Sequence, residues 1–393
     1  MRLTCPPLVL VLLLWCAGLG AAGQFAKIAV PFGAVGAAYG GAPEVLGWLL
    51  SIISLAGALF GALAGAVVGR LNQSRLLVGA LCVGGACSLW QSLLPDLPVF
   101  LLSRVIEGLS HLVIVIAAPT LIAGICPPRH LGLAMALWST FMGLTFTLYA
   151  LVGLPFVDGF GIGALLAGHG GYMLVMAAVL ALVLPVSQGQ GDRAAAGDLR
   201  LGPLLADLGT ACRSPWIAAP GVGWLFYTLT FVALLAVLPE RLPPEARAPV
   251  TAVMPLVGTG VALLVVPLLL RAQRASQLAI TGYALAALVT LAWGHLPLAW
   301  VSVALFTVLG LVQGTGFASV SELNPSAGAR AMGYGLMAQT GNIGNLAGTP
   351  LMVAVLARGG EPALKGLVVA IYLAALMALI WLARRRSRSA AMG

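Results

Sequence analysis

The chain has 393 residues, of which 61% are hydrophobic and only 8% are charged, and its mean hydropathy is +1.05. This composition supplies too few polar side chains to cover a soluble body of that size, so it excludes a soluble protein and predicts that lipid is the outer solvent. The net charge of +9 is compatible with a nucleic-acid partner, but the positions of the basic residues, given below, favour a signal of membrane topology and no nucleic-acid partner.

Long apolar runs follow one another along the whole chain, separated by short polar or Pro/Gly breaks. A membrane-spanning helix needs roughly 20 apolar residues, and the sequence contains about twelve such runs without the alternating polarity of transmembrane β-strands. The predicted spans lie at residues 7–37, 45–68, 75–94, 98–124, 131–154, 169–186, 216–238, 249–270, 276–295, 298–320, 331–357 and 364–383. The first begins like a secretory signal, but its apolar character continues through Ala38, so we interpret it as an uncleaved span.

The two halves of the chain match each other at an offset of about 201 residues. The matching pairs are Gly57 and Gly258, Arg70 and Arg271, Arg129 and Arg330, Gly132 and Gly333, and Gly143 and Gly344. A repeat of this kind is typical of duplicated membrane bundles. We therefore predict two pseudo-symmetric six-helix bundles, at residues 1–186 and 215–393, joined by a polar cytoplasmic linker at 187–214 with a short interfacial helix around 201–208.

Basic residues are distributed unequally over the segments between the predicted spans. With the N-terminus in the cytoplasm, fourteen arginines fall in cytoplasmic segments, against three arginines and one lysine in outer ones. Because positive residues mark cytoplasmic loops, both termini are predicted to be cytoplasmic. The Arg, Ala, Leu and Gly bias suggests a GC-rich bacterial genome, so we predict a multi-pass protein of a bacterial inner membrane.

Ionisable residues at bilayer depth are the strongest functional candidates, because each costs several kcal/mol unless it is paired or hydrated. Lys27 lies in the first span, and Arg104, Glu107 and His111 lie on one face of the fourth. We predict that Lys27, Arg104 and Glu107 form a buried cluster with one surplus positive charge, which suits an anionic or electron-rich substrate. The alternative left open is that the charges only satisfy each other and that His111 is simply hydrogen-bonded.

The second half is neutral where the first is charged. Phe306 stands near the position that matches Arg104, and Gln313 near the position that matches His111. Neutral polar candidates for binding in this half are Tyr227, Gln313, Gln339, Asn342 and Asn345. Amides bind a solute without the cost of a charge, but they equally bridge helices, and an aromatic residue in a span is more often packing.

Small residues in the second span suggest close helix packing. Gly57, Gly61, Gly65 and Gly69 are four residues apart and therefore share one helix face. Such a face lets two backbones approach closely in lipid. It favours tight packing and is also compatible with sliding.

The sequence lacks the common signatures of enzymes and of metal sites. The sequence has no HExxH, GxSxG or P-loop motif. The six cysteines form neither a CxxC motif nor an outer-loop pair. We therefore predict no enzymatic activity, no metal and no cofactor other than an ion gradient, although the spacing of Ser110 and His111 leaves an intramembrane Ser/His dyad open as a third interpretation.

Two motifs resemble those of the major facilitator superfamily. The loop after the second span, Gly65-Ala-Val-Val-Gly69-Arg70-Leu-Asn72-Gln-Ser-Arg75, is similar to its gating-loop motif, although Gly69 and Asn72 replace an acid and a glycine. In the fourth span, Arg104-Val-Ile-Glu107-Gly108 is similar to its RxxxG motif. The resemblance implies an all-α fold with 12 transmembrane helices and alternating access. It also implies a gating role for Gly65, Arg70 and Arg75 and a proton-coupled role for Arg104.

Further segments resemble the cyanate and nitroimidazole transporter-like branch, whose members handle small anions or neutral polar solutes. They are Gln24-Phe-Ala-Lys27 with Pro31, the Arg104 motif, and Gln339-Thr-Gly341-Asn342. The fifth span lacks the paired-glycine signature of many drug antiporters. We therefore predict a monomeric, proton-coupled symporter or antiporter for a small anionic or polar organic solute. A drug or metabolite efflux antiporter and a non-transporting sensor or scaffold are the alternatives.

Overall fold

The structure is a computed structural model and describes residues 6–39, 43–184 and 201–392. These ranges are helical and contain no β-strand, only an isolated bridge between Trp293 and Leu296. The α-helices are α1 (Pro7–Ala29), α2 (Phe32–Tyr39), α3 (Pro43–Arg70), α4 (Gln73–Gln91), α5 (Leu97–Ile125), α6 (Pro128–Ser139), α7 (Phe141–Leu148), α8 (Leu154–Val183), α9 (Leu201–Arg213), α10 (Ala218–Val237), α11 (Pro244–Gly260), α12 (Val266–Leu269), α13 (Ala275–Leu291), α14 (Leu298–Leu323) and α15 (Ala327–Met392). Two π-helical segments, Tyr149–Gly153 and Val261–Val265, precede α8 and α12, and a 3₁₀ turn, Pro239–Arg241, follows α10. The predicted all-α architecture is confirmed.

Eight helical segments within the described ranges are long and apolar enough to cross a membrane. They are Pro7–Ala29, Ile52–Arg70, Leu97–Ile125, Pro128–Val183, Ala218–Leu235, Pro244–Leu269, Leu298–Leu323 and Ala327–Ser389. The fourth and the last, with 56 and 63 residues, are far longer than one crossing requires. Each contains a break, so eight segments are not eight crossings, and the number twelve stays a prediction.

Glycine makes both breaks. Gly161 has φ 81° and Gly360 has φ 66°, in the left-handed region that glycine adopts at no steric cost. At each break the chain doubles back, because the segments before and after the glycine pack against the same helix. Thr145 donates to Leu19 O of α1, and Tyr172, beyond Gly161, donates to Cys16 O of the same helix. Likewise, Gly341, before Gly360, lies against Trp224 of α10, and Leu379, beyond it, lies against Gly223 of α10.

Some predicted boundaries differ from the observed ones for reasons that concern glycine and proline. Residues 155–168 were predicted to lie between two spans. They are instead helical before and after the break at Gly161, because the apolar residues of this glycine-rich stretch continue the helix on each side. The first predicted span, 7–37, is interrupted at Val30–Pro31, since proline lacks an amide hydrogen for the helix. In the predicted linker, 187–200 lie outside the described residues and α9 begins at Leu201.

The glycine face of α3 lies directly against α15, which confirms the predicted close approach of two backbones. A Cβ atom at Gly65 would lie 2.7 Å from Ala331 O, and one at Gly335 would lie 2.6 Å from the Cα atom of Gly65. At Gly69 the nearest atoms belong to Gly328, at 3.4 Å. No side chain larger than hydrogen fits at Gly65 without moving the main chain of α15.

The buried apolar side chains form two large clusters. One is built mainly from α1, α4, α5, α6 and α8 and extends into the second half through Phe317 and Tyr334. The other lies entirely in the second half and is built from α10, α13, α14 and α15 around Tyr283 and Tyr372. The halves therefore share a packed boundary, which lies at α6, α14 and the start of α15.

The halves meet at the end of the bundle that is predicted to be cytoplasmic. Met135 accepts a hydrogen bond from Tyr334 at 3.4 Å, and a Cβ atom at Gly132 would lie 2.9 Å from Leu270 Cδ1. Further along α15, towards the predicted outer side, Gly344 packs against α10 of its own half, and Asn345 is exposed. The contacts thus close the predicted cytoplasmic end.

Candidate functional site

A fully buried ammonium group lies inside the first half. Lys27 Nζ donates to Glu107 Oε1 at 2.5 Å, to Gln91 Oε1 at 2.7 Å and to Ser88 Oγ. All four side chains are completely buried. The three hydrogens of the ammonium group therefore each have an acceptor, on α4 and α5.

Arg104 occupies the other side of the same carboxylate. Its Nη1 donates to Glu107 Oε2 at 2.5 Å and to the main-chain oxygen of Gln24 at 2.7 Å, while its Nε donates to Leu49 O at 3.0 Å. One carboxylate thus faces two cations, and the arginine joins α5 to the main chains of α1 and α3. The predicted cluster of Lys27, Arg104 and Glu107 is assembled with its surplus positive charge.

Two buried polar atoms of this cluster have no partner. They are Arg104 Nη2 and Gln24 Oε1, although Gln24 Nε2 donates to Ser110 Oγ at 3.1 Å. An unpaired buried donor and acceptor each carry a desolvation cost of about 1–3 kcal/mol. A polar group that hydrogen-bonds to either atom would remove the cost at that atom.

A histidine of α8 completes the network behind Ser88. His169 Nε2 lies 2.9 Å from Gly20 O, and its Nδ1 lies 2.8 Å from Ser88 Oγ. A carbonyl only accepts, so we assign the hydrogen of a neutral ring to Nε2, and Ser88 then donates to Nδ1. Ser88 Oγ can then accept a hydrogen bond from Lys27. The hydrogen bonds therefore follow one direction: the ammonium group donates to the hydroxyl, and the hydroxyl donates to the imidazole.

Glycines supply the space for these polar side chains. A Cβ atom at Gly23 would lie 2.7 Å from His169 Cδ2, and one at Gly84 would lie 2.5 Å from Gln24 Nε2. The side chain of His169 therefore fills the groove that α1 leaves open at Gly23. Packing of small against polar residues is how α1, α4 and α8 bring the network together in an apolar environment.

His111 shares the helix of Arg104 and Glu107 but binds elsewhere. Its Nδ1 lies 2.9 Å from Ala21 O, and its ring meets Phe25 edge-on with centroids 4.9 Å apart. It fastens α5 to the main chain of α1, one turn from the charges.

The neutral candidates of the second half reach across to the first. Gln313 accepts at Oε1 from the Tyr227 hydroxyl at 3.3 Å and donates from Nε2 to Ser139 O at 3.2 Å. Ser139 is the last residue of α6, where the helix is interrupted at Thr140 before α7 begins. Tyr227 stacks on Trp224 with a centroid distance of 4.7 Å, so an aromatic column adjoins this contact.

Span amides of α15 take three different positions. Gln339 bonds the main chain of α3, Asn342 donates to Ala338 O of its own helix at 2.7 Å and lies against Gly57, and Asn345 is exposed. Of the three, Asn345 is the exposed side chain, and its role in binding a solute stays a prediction.

The predicted gating-loop residues lie at the junction of α3 and α4. Gly65 packs against α15 as described, and Arg70 is half-buried at the end of α3. Asn72 caps α4 by accepting from Arg75 N at 3.0 Å, and the Arg75 side chain is exposed. The loop is a short capped turn between two helices.

Sequence reasoning missed three members of the network, Ser88, Gln91 and His169. Each is a single polar residue in an apolar stretch, which carries little signal alone. Depth could have indicated Ser88 and Gln91, because they are one turn apart near the outer end of the third predicted span, level with Lys27 and Glu107. His169 carries no such signal, since its place depends on the groove at Gly23. Within the described residues, no group of three His, Cys, Asp or Glu side chains could hold a metal ion.

Comparison with known proteins decides the family. The sequence model described as Major Facilitator Superfamily matches residues 10–349. The chain belongs to the major facilitator superfamily. No curated protein matches the sequence of this superfamily member.

Solved structures of this superfamily share the fold. The human organic anion transporter MFSD10 (TETRAN) superposes with a TM-score of 0.71 at 17% identity, covering 96% of this chain and 100% of that one. The transporter FucP in the outward conformation gives 0.74 at 12% identity, with 95% and 98% covered. The proton:xylose symporter XylE bound to 6-bromo-6-deoxy-D-glucose gives 0.73 at 15% identity, with 94% of each chain covered. At these identities the likeness is one of fold.

Proposed function

We propose that this superfamily member is a secondary active transporter that moves a small polar or anionic organic solute by alternating access. The observation that carries the proposal is the arrangement of the halves. They pack against each other along the predicted cytoplasmic ends of α3, α6 and α15, while Gly344 and Gly348, further towards the predicted outer side, pack against α10 of their own half. Two six-helix halves, 1–186 and 215–393, would rock about polar contacts at mid-depth.

The class of solute follows from the charges and amides at that depth. Lys27 and Arg104 outnumber Glu107 by one positive charge, and the unpartnered Arg104 Nη2 is a free donor for an oxygen atom. Across the boundary, Tyr227 and Gln313 offer neutral hydrogen-bonding groups. An oxygen-rich organic anion fits this combination, and the organic anion transporter with the same fold is compatible with it.

Protons are the proposed coupling ion. Glu107 is the carboxylate that both cations share, so its protonation would release Lys27 and Arg104 from their common partner. That release frees donors for a solute anion when a proton is present, which is the coupling that a symporter requires. We further propose a carrier without enzymatic activity, acting as a monomer in a bacterial inner membrane with both termini cytoplasmic.

A binding screen followed by uptake tests this function. Purified protein is screened by thermal shift against small organic anions, neutral polar solutes and drugs, because a ligand of the folded state raises the melting temperature. Uptake of the best ligand is then measured in proteoliposomes with and without a proton gradient. We expect uptake to fall at least tenfold in Lys27→Met and to stay unchanged in Lys365→Met, the matched control at the other lysine of the chain.

Four results would contradict the proposal. Uptake by Lys27→Met at the rate of the parent would show that Lys27 takes no part in the mechanism. Uptake that an uncoupler does not change would show that transport is not coupled to protons. Binding without any uptake or export would favour a non-transporting sensor, and selective export of drugs would favour an efflux antiporter.

A further inference from the structure

The side chain of Gln339, in the second half, forms two hydrogen bonds with the main chain of one turn of α3, in the first half. Gln339 Nε2 donates to Ala58 O at 2.9 Å, and Gln339 Oε1 accepts from Ala62 N at 3.3 Å. In an α-helix the amide of residue 62 is the ordinary donor to the carbonyl of residue 58. The amide of Gln339 therefore bridges the two ends of a single backbone hydrogen bond of α3.

This bridge depends on the absence of a side chain at Gly61. A Cβ atom there would lie 2.6 Å from both the N and the Cβ atoms of Gln339. Gly65, one turn further towards the predicted cytoplasmic end, packs against Ala331 and Gly335 of α15. The bridge thus lies within the contact between α3 and α15, between Gly65 on one side and the contact of Asn342 with Gly57 on the other, so any separation of the two helices must break it.

The bridge is built so that it releases at low cost. When α15 withdraws, Ala58 O and Ala62 N still have each other as helical partners, so no main-chain group of α3 is left unsatisfied. Only the amide of Gln339 loses its partners, and water entering the opened end would replace them. Among the described residues, Gln313 and Tyr334 also bond across the boundary, but each gives the other half a single hydrogen bond.

We propose that Gln339 is a latch that holds the predicted cytoplasmic end of the transporter closed by gripping the main chain of α3. This proposal rests on alternating access, the proposed function, but it assigns Gln339 to gating and not to solute binding. It makes the closed state depend on the reach and the two polar atoms of one side chain.

The test measures opening directly and needs no solute. All six native cysteines are replaced, and a reporter is introduced as Met135→Cys, since Met135 is fully buried on α6 against Tyr334 of the other half. Inverted membrane vesicles are treated with a membrane-impermeant maleimide, and the modification rate is recorded. Gln339→Met keeps the length of the side chain and removes both hydrogen bonds, so we expect the rate to rise about tenfold.

Two further variants separate the latch from general damage. Gln339→Asn keeps the amide but is one methylene shorter, so it cannot reach both main-chain groups and should raise the rate as well. Thr340→Val is the matched control, because its hydroxyl bonds Gly221 O at 2.8 Å and Leu336 O at 2.9 Å, both in its own half. It should leave the rate unchanged.

Equal modification rates in the parent and in Gln339→Met would overturn the proposal. So would an equal rise in Gln339→Met and Thr340→Val, which would indicate loosened packing of α15. Because labelling requires no transport, a rise confined to the Gln339 variants supports the latch even if no solute is ever carried.

Discussion

The interiors of the two halves contain different kinds of side chain, although the sequence predicts that their helices are related by a repeat. In the first half, Lys27, Arg104 and Glu107 are buried among hydroxyls, amides and an imidazole. In the second, the interior is aromatic. Tyr283 and Tyr372 lie at its centre, and Phe231 packs on Phe306 with centroids 5.0 Å apart.

The difference shows that two helical halves of one chain can be stabilised by different kinds of interaction. An aromatic interior is stabilised by the apolar area that it buries and by the stacking of its rings, so it tolerates the loss of one polar contact. An ionic interior depends on balance, because a buried charge without its partner is far costlier than a lost contact. The first half should therefore respond to substitution steeply and the second gently.

Glu107→Gln is expected to give the largest effect. It leaves Lys27 and Arg104 buried side by side without a countercharge, and breaking a buried ion pair in this way costs about 3–5 kcal/mol. Thermal unfolding in detergent should show a large fall in melting temperature. A fall no greater than that of a typical core polar substitution would mean that water already enters the cluster.

Removing a cation should cost less than removing the anion. Lys27→Met or Arg104→Met leaves one cation facing Glu107, so the cluster becomes neutral and the loss reduces to unsatisfied acceptors or donors, about 1–3 kcal/mol. The same unfolding measurement ranks the three variants. If either methionine variant were less stable than Glu107→Gln, the surplus positive charge would not be what limits the cluster.

The smallest effect is expected in the aromatic interior. Tyr283→Phe removes the hydroxyl that donates to Gly223 O at 2.6 Å and keeps the ring, so the cost should be about 1 kcal/mol. A loss of stability as large as that of Glu107→Gln would mean that the two halves do not differ in their response to substitution.

Periodicity and charge predict the helices and the pairing of the cluster well. Arg104 and Glu107 are three residues apart on one helix, so their pairing follows from helix geometry, and Lys27 joins the prediction because it lies at the same predicted depth and carries the opposite charge to Glu107. The positions of His169 and Gln339 do not follow, since each depends on which glycine of a neighbouring helix leaves a groove. Sequence periodicity gives the face of a helix but not the neighbour that this face meets.

The breaks at Gly161 and Gly360 have a mechanical consequence. Nothing lies within 4 Å of a Cβ atom at Gly161, and at Gly360 the nearest is Pro362 Cδ at 3.7 Å, so a larger residue there would suffer from its dihedral angles and not from crowding. Because a single residue forms the turn, no flexible loop separates the two helical arms of such a hairpin. Each of these two hairpins should therefore tilt as a rigid body, so that a displacement of one arm is transmitted in full to the other.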